Sequence, residues 1–516
     1  MVLAAMTGGQ RAMDGIINKK ITMKRNWFNK AIGVAFPAIA LKQAEAQRKL
    51  SEFDAETYGK RKYDGAAKAK NTEDWRGVST SANVEVQADI VTLRNRSREL
   101  GRNNGYAKNY FRLMPNNIVG MGIIPSFKNI GRSGNEDKIK AVWDLWADDI
   151  KCDYDQRVNF YGIQHLVIKT VVKSGECLVI RRRATSKYDI PLRLQVLEGD
   201  YIDNGKFAWE NEFGGMTWYG VAFNKQGERM GYWLWNRHPG EFASFSQFVD
   251  AKDVIHFYDT DRPGQHRGVP ELHAAMLRLK DLNDYSYAEM VRAKTSATQV
   301  GAIKQDNDLG KDDLASSFST MEPGTFHRLK PGEEITFNTP PTNNGFGEYV
   351  KANSHQIAAA GGVTYEGLTS DLSNVNFSSG RMGWLEFQRN IQYWQWMVLA
   401  PHLSEIFKWF LEAAQVSAYL PMGAKIKVNW TMPRREMIDP VKEGKALAEL
   451  VRGKFKTWRE AIREMGDNPD EVLKELIAEY KEMKAAGLMP ESFPEFDAER
   501  KDLLADKPDP SAEKNN

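Results

Sequence analysis

Between Glu176 and Asp259 lie five short runs rich in branched and aromatic residues: ECLVIRRRA (176–184), LRLQVLE (192–198), WYGVAFN (218–224), RMGYWLWN (229–236) and DVIHFYD (253–259). Runs of this length and make-up, several punctuated by Gly or Pro, read as strands. Helical patterns flank them, so the chain is constrained to an α+β fold with a mixed module over about 118–260. Ahead of the strands, NIVGMGIIPSF reads as a turn and a short strand. NEDKIKAVWDLWADD (135–149) then sets Ile139, Val142, Trp143 and Trp146 at helical spacing, and a further helix is expected around Tyr161–Lys173.

Beyond the strands the period lengthens. Leu272, Met276, Leu279, Asn283, Tyr287 and Met290 recur every three or four residues, which predicts one long helix over 269–298. A turn-rich insertion, 299–345, follows, and within it GTFHRLKPGEEITFNTPP has the look of a hairpin. A helix over 346–360 stops at Gly361-Gly362. TSDLSNVNFSSGR (369–381) is a polar loop long enough to suggest a function, and it feeds an aromatic helix over 382–414. From about Arg434 come three short helical patterns, and 488–516, rich in Pro, Asp and Lys, reads as a disordered tail.

Composition narrows the function. The 516 residues are 42% hydrophobic and include 14 Trp, enough for a large core. Against 68 acidic residues stand 71 basic ones, and a net charge of +3 argues against a chain whose main task is to coat nucleic acid. Two cysteines, Cys152 and Cys177, exclude a disulfide-stapled scaffold or a Cys-rich zinc module and fit a reducing compartment. Lys24, Arg25 and Lys30 before the apolar Ala31–Leu41 imitate a signal peptide, but Pro37 breaks the run and Lys42–Leu50 continues as a charged helix. Residues 1–22 read as an extension ahead of a second plausible start at Met23. Trp394–Leu411 is interrupted by Gln395, Pro401, His402, Ser404, Glu405 and Lys408, and so reads as a buried helix rather than a membrane span.

Two constellations carry possible chemistry. HFYDTDRPGQH places His256, Asp259, Asp261 and His266 within eleven residues, ligand types that suit a transition metal and could arm a hydrolase. A strand end followed by a polar turn produces such residues routinely, so no metal is assigned. LRNRSRELGRNNGYAKNYF (93–111) carries five basic side chains among Asn and aromatics. It reads either as a nucleic-acid patch or, more simply, as a solvated helix face. No phosphate loop, dinucleotide fingerprint, nucleophile elbow or zinc-protease helix occurs. The rival functional reading is a metal-dependent nucleic-acid-processing enzyme built on His256, Asp259, Asp261 and His266.

The order of segments nevertheless resembles the bacteriophage portal proteins of the lambda type, from about Met23 to the C-terminal helices. The resemblance rests on NWFNKAIGVAFPAIALKQAEAQRKL, YDGAAKAKNTEDW and LRNRSRELGRNNGYAKNYF, then NIVGMGIIPSF, SGECLVIRRR, LQVLEGDYID and VIHFYDTDRPGQHRGVPEL. It continues through DLSNVNFSSGRMGWLEFQR and NWTMPRREMIDPVKEGKA. Such a family implies a portal fold with an α/β wing, a helical stem, a small β-containing clip and an α-helical crown. On this chain those would be 23–268 and 363–433 (wing, with the tunnel loop and aromatic helix), 269–298 and 346–362 (stem), 299–345 (clip) and 434–487 (crown).

The resemblance further implies a ring, of twelve subunits, at one capsid vertex of a virion, assembled in the host cytoplasm. Its partners would be double-stranded DNA, the terminase large subunit, head–tail adaptors, and major capsid and scaffold proteins, with no cofactor and no enzymatic activity. Ser370, Ser373, Asn374, Asn376 and Ser378 of the tunnel loop would make weak contacts with phosphates, with Arg381 at its base. Pro323-Gly324 and Pro331-Gly332 would present clip turns for docking.

Overall fold

The computed structural model describes residues 77, 79–129, 136–184, 189–242, 245–297, 345–373, 375–434 and 437–488, with the backbone alone at 301–305 and 333–337. The chain divides after Ser79, and the fold below is that of the unit beginning at Thr80. The extension 1–22, Pro323, Gly324, Pro331, Gly332, Asn374 and the tail past Leu488 lie outside the described residues.

The basic stretch 93–111 falls on two helices, α1 (Ala82–Asn103) and α2 (Gly105–Ile118). Asn104 divides them. Its backbone is extended, and its Oδ1 accepts from the Ala107 N–H at 3.1 Å, satisfying one of the donors that the first turn of α2 leaves open. Strand β1 (Ile124–Asn129) and helices α3 (Glu136–Ala147) and α4 (Phe160–Ser174) follow. The four residues expected on the apolar face of α3 are all buried. Trp143 meets the rings of Phe410 and Phe160 nearly edge-on at 4.8 and 5.1 Å, the geometry in which the positive rim of one ring faces the negative face of another.

Gly175 turns α4 directly into β2 (Glu176–Arg183) with φ of 90°. A side chain there would strike the backbone of Gly268 and Val269 at 2.6–2.8 Å, so the chain approaches itself closely at this point. Strands β3 (Leu192–Glu198), β4 (Gly214–Trp218), β5 (Val221–Asn224), β6 (Arg229–Trp235), β7 (Ser246–Asp250) and β8 (Val254–Tyr258) complete the sheet region. They form two antiparallel sheets, ordered β3-β2-β8 and β4-β5-β6-β7.

Every expected strand run contains a strand, but WYGVAFN is not one strand. Tyr219 and Gly220 both have positive φ, 45° and 83°, which makes a tight hairpin turn between β4 and β5. The unbroken apolar run of β2 has a simple cause. Cys177 and Val179 face the main core, whereas Leu178 and Ile180 face a second core with Ile202, Val221, Phe223, Tyr232 and Leu234.

The long helix expected from 269 begins as a 3-10 turn at Glu271–Ala275 and becomes α5 (Met276–Ala297). Strands β9 (Gly301–Gln305) and β10 (Glu333–Phe337) then pair antiparallel, so the second half of the expected hairpin pairs with a segment upstream of it. Helix α6 (Phe346–Ala360) returns along α5. After the short α7 (Tyr365–Thr369) come α8 (Phe377–Tyr393), a π-helical turn at Trp394–Leu399, and α9 (Ala400–Val416), one continuous rod. The wide turn sits just before Pro401, whose ring and missing N–H do not fit a regular α-helix interior.

Trp394 and Trp409 of this rod are core residues, Trp384 is half-buried, and Trp396 is 50% exposed. Strand β11 (Ile426–Thr431) pairs with β1. Helices α10 (Pro440–Arg452), α11 (Trp458–Glu464) and α12 (Pro469–Ala485) follow. No helix among the described residues is long and apolar enough to cross a membrane.

Candidate functional site

The polar loop is shorter than the expected 369–381. Thr369 belongs to α7 and Asn376 caps α8, so the connection is 370–376. The cap is reciprocal: Asn376 Oδ1 accepts from the Ser379 N–H at 2.8 Å, and Ser379 Oγ accepts from the Asn376 N–H at 3.2 Å. Ser378 and Arg381 are therefore helical rather than in the loop. Arg381 leans toward the C-terminal helices, with Nη2 4.0 Å from Glu443 Oε1. Ser370, Ser373, Asn376 and Ser378 are all exposed.

Hydrogen bonds between near neighbours in sequence give the loop its shape. Ser370 turns the chain with φ of 60°. The Asp371 N–H donates to Thr369 Oγ1 at 3.2 Å, the Ser373 N–H to Asp371 Oδ1 at 3.0 Å, and the Tyr365 hydroxyl to Asp371 Oδ2 at 3.0 Å. Bonds from Ser373 and Tyr365 hold the Asp371 carboxyl below its usual range. Leu372 stands at the tip, 68% exposed.

A second polar group lies inside the molecule. Glu176, the first residue of β2, is completely buried. It accepts from Arg94 Nη2 at 2.5 Å, from Arg267 Nη2 at 2.5 Å and Nε at 2.8 Å, from the Gly268 N–H at 3.2 Å, and from His256 at 3.0 Å. Arg94 also lies 3.2 Å from Asp200, and Arg98 joins Asp200 to Glu198. Burial pushes the Glu176 carboxyl up, but the Arg267 guanidinium, the His256 bond and Arg94 together hold it well below the usual carboxylate range. Burial pushes His256 down to about 4, so its neutral ring donates from Nε2 to Glu176. The five-residue basic cluster is thus not one surface: Arg94 is internal and Arg98 half-buried, while Arg96, Arg102 and Lys108 are exposed.

The proposed metal group does not assemble. His256 points inward to Glu176. Asp259 accepts from the Tyr393 hydroxyl at 2.7 Å, Asp261 is exposed, and the His266 ring lies over Phe223 at 4.4 Å. Among the described residues the one close set of three ligand-type side chains is Glu198, Asp200 and His238. Arg98 already bridges its two carboxylates, and His238 Nδ1 accepts from the Gly240 N–H, which leaves the ring proton on Nε2. A guanidinium occupies the role a metal would take there. The sequence reading also missed Glu176 and Arg267, which no local pattern marks, and Arg94, whose place on the apolar stripe with Ile90, Ser97 and Leu100 was a usable signal.

Residues 68–395 match the family model described as phage portal protein, lambda family, well over half of the chain. The chain belongs to the lambda family of phage portal proteins. The probable portal protein of Halomonas phage phiHAP-1 is 26% identical over 467 residues, 83% of this chain and 88% of that protein. Portal protein B of Escherichia phage lambda is 22% identical over 489 residues, 81% of this chain and 89% of that protein. A chain in the neck of a native gene transfer agent particle, computed with C12 symmetry, has a TM-score of 0.46 at 16% identity, over 73% of this chain and 93% of that chain. The portal-family match takes in the ionic cluster around Glu176 and the loop 370–376, and it ends within the π-helical turn.

Proposed function

We propose that this portal-family chain closes into a ring of twelve subunits at one vertex of a capsid, and that double-stranded DNA enters and leaves through its channel. The observation that carries the reading is the family match over 68–395. In this reading 23–268 and 363–433 form the wing, α5 and α6 the stem, 299–345 the clip, and 434–487 the crown. The packed pair α5 and α6, with the β9–β10 ladder between them in sequence, supports one outward excursion from the body. A ring needs two different complementary surfaces on each subunit, and the exposed Phe377, Met382, Leu385, Trp396 and Met397 along the tunnel-helix rod suit such a seam.

DNA must slide, so tight base readout would hinder passage. Ser370, Ser373 and Asn376, short and neutral beside the carboxylate of Asp371, fit weak, water-mediated phosphate contact better than a basic patch would. The terminase large subunit and the head–tail adaptors dock at the clip, with Pro323-Gly324 and Pro331-Gly332 as the proposed docking positions. Terminase brings the ATPase, since this sequence carries no phosphate loop. The protein acts as a conduit within the virion, after assembly with capsid and scaffold proteins in the host cytoplasm, and needs no cofactor.

Removal of 371–375, with Ser370 joined to Asn376 through two glycines, tests the DNA role. Rings are expected to form normally while capsids package or retain less DNA. Unchanged packaging and retention in intact rings would overturn it.

A further inference from the structure

Helix α7 has only five residues, so its last carbonyls find no partners within the helix. Asn109, in the middle of α2, supplies them. Its Nδ2 donates to Gly367 O at 2.9 Å and to Leu368 O at 2.8 Å, while its Oδ1 accepts from Arg112 Nη2 at 2.8 Å. That third bond fixes the orientation of the amide, with its donors toward α7. Asn is a poor residue for a helix interior, which leaves its side chain as the reason for its place.

A second hold comes from α6. The Tyr365 ring stacks on His355 of α6 at 4.3 Å and 22°, and its hydroxyl reaches past the Ser370 turn to Asp371. The chain leaving α7 is therefore gripped by α2 at Gly367 and Leu368, and through Tyr365 by α6 at Asp371. Among the described residues, Leu372, Ser373 and Val375 follow these holds in sequence, ahead of the Asn376 cap.

We infer that Asn109 and Tyr365 are the positioning residues of the loop 370–376, setting the direction in which it leaves the body without themselves touching DNA. The inference rests on the reading of this loop as the DNA-facing element. It also makes α2 and α6, rather than the loop's own sequence, the determinants of where the loop points.

Hydrogen exchange on the assembled full-length protein tests it. Asn109→Asp keeps the size and removes the donor, and Tyr365→Phe keeps the ring stack and removes the hydroxyl. Each is expected to speed exchange at the Ser370, Asp371 and Ser373 amides roughly tenfold, with α2 and α6 amides unchanged, because only one or two net hydrogen bonds are lost. Ring size stays the same and DNA retention falls several-fold. Unchanged loop exchange in both variants overturns the inference, and so does acceleration spread through α2 and α6, which would make the pair general scaffold. The variant lacking 371–375 separates the two readings. If it retains DNA normally, the DNA role fails while loop exchange in the point variants still decides the positioning role.

Discussion

The cluster around Glu176 and the loop 370–376 are both polar, and they are built in opposite ways. In the cluster, full charges are buried and each meets an opposite charge from a distant part of the chain: Arg94 of α1, Glu176 of β2, and Arg267 ahead of α5. In the loop, most groups are short and exposed, and they bond to neighbours a few residues away. The first arrangement ties separate segments together and is expensive to disturb. The second shapes one segment and leaves its side chains to solvent. Strong charge from the basic stretch is thus partly spent on the fold, while the element proposed to meet DNA carries weak groups suited to a sliding contact.

Disturbing the cluster has the largest expected effect. Glu176→Ala leaves Arg94 and Arg267 buried without their counter-charge, and urea denaturation should show a loss of about 3–5 kcal/mol. A loss under about 1 kcal/mol would mean that the cluster behaves like an exposed ion pair. Acid acts on the same groups. His256 titrates near 4 in the fold against an ordinary 6.5, and Glu176 lies below its ordinary 4.5. Both are depressed, so their stability is present above the ordinary values and is lost as pH falls, first through His256 and then through Glu176. Relative to a His256→Gln variant, which lacks the first step, a wild-type stability that does not fall between pH 6.5 and 4 would contradict the burial of His256, and Glu176 is tested below 4.5.

Glu271, at the start of the 3-10 turn into α5, behaves in the opposite sense. Burial, with Asp259 and Asp261 nearby, raises its carboxyl to about 8. Its contribution is therefore full below about 4.5 and is lost as pH rises through 8. Glu271→Gln should remove that decline between about pH 4.5 and 8, on the order of 1–2 kcal/mol once solvent access to a half-buried carboxyl is allowed for. An unchanged pH profile would sink the assignment. The smallest effect belongs to the loop side of the comparison. Asn376→Ala removes one end of the reciprocal cap and should cost about 1 kcal/mol, with fraying confined to the first turn of α8. A loss as large as that of Glu176→Ala would erase the contrast between the two regions.

The strands were legible because composition and length mark them, and α3 because four apolar residues share one face. The split within WYGVAFN was not, since a Tyr at positive φ has no compositional signature. The metal constellation failed because nearness in sequence is not nearness in space: alternation along β8 turns His256 inward, while Asp259 and Asp261 follow on a surface turn. The loop was over-long because the Asn376–Ser379 cap, a readable pattern, begins a helix five residues early. The ionic cluster was hidden for a different reason. Nothing in 516 residues tells Arg94 that its partner is Glu176 until α4, β2 and Gly268 have packed together.

Ring formation underlies the proposed conduit, and the direct measurement is native mass combined with negative-stain imaging of the purified full-length protein. One large closed species is expected, twelve subunits around a central hole wide enough for a DNA duplex. Monomers or dimers alone, across a wide range of concentrations, would contradict it.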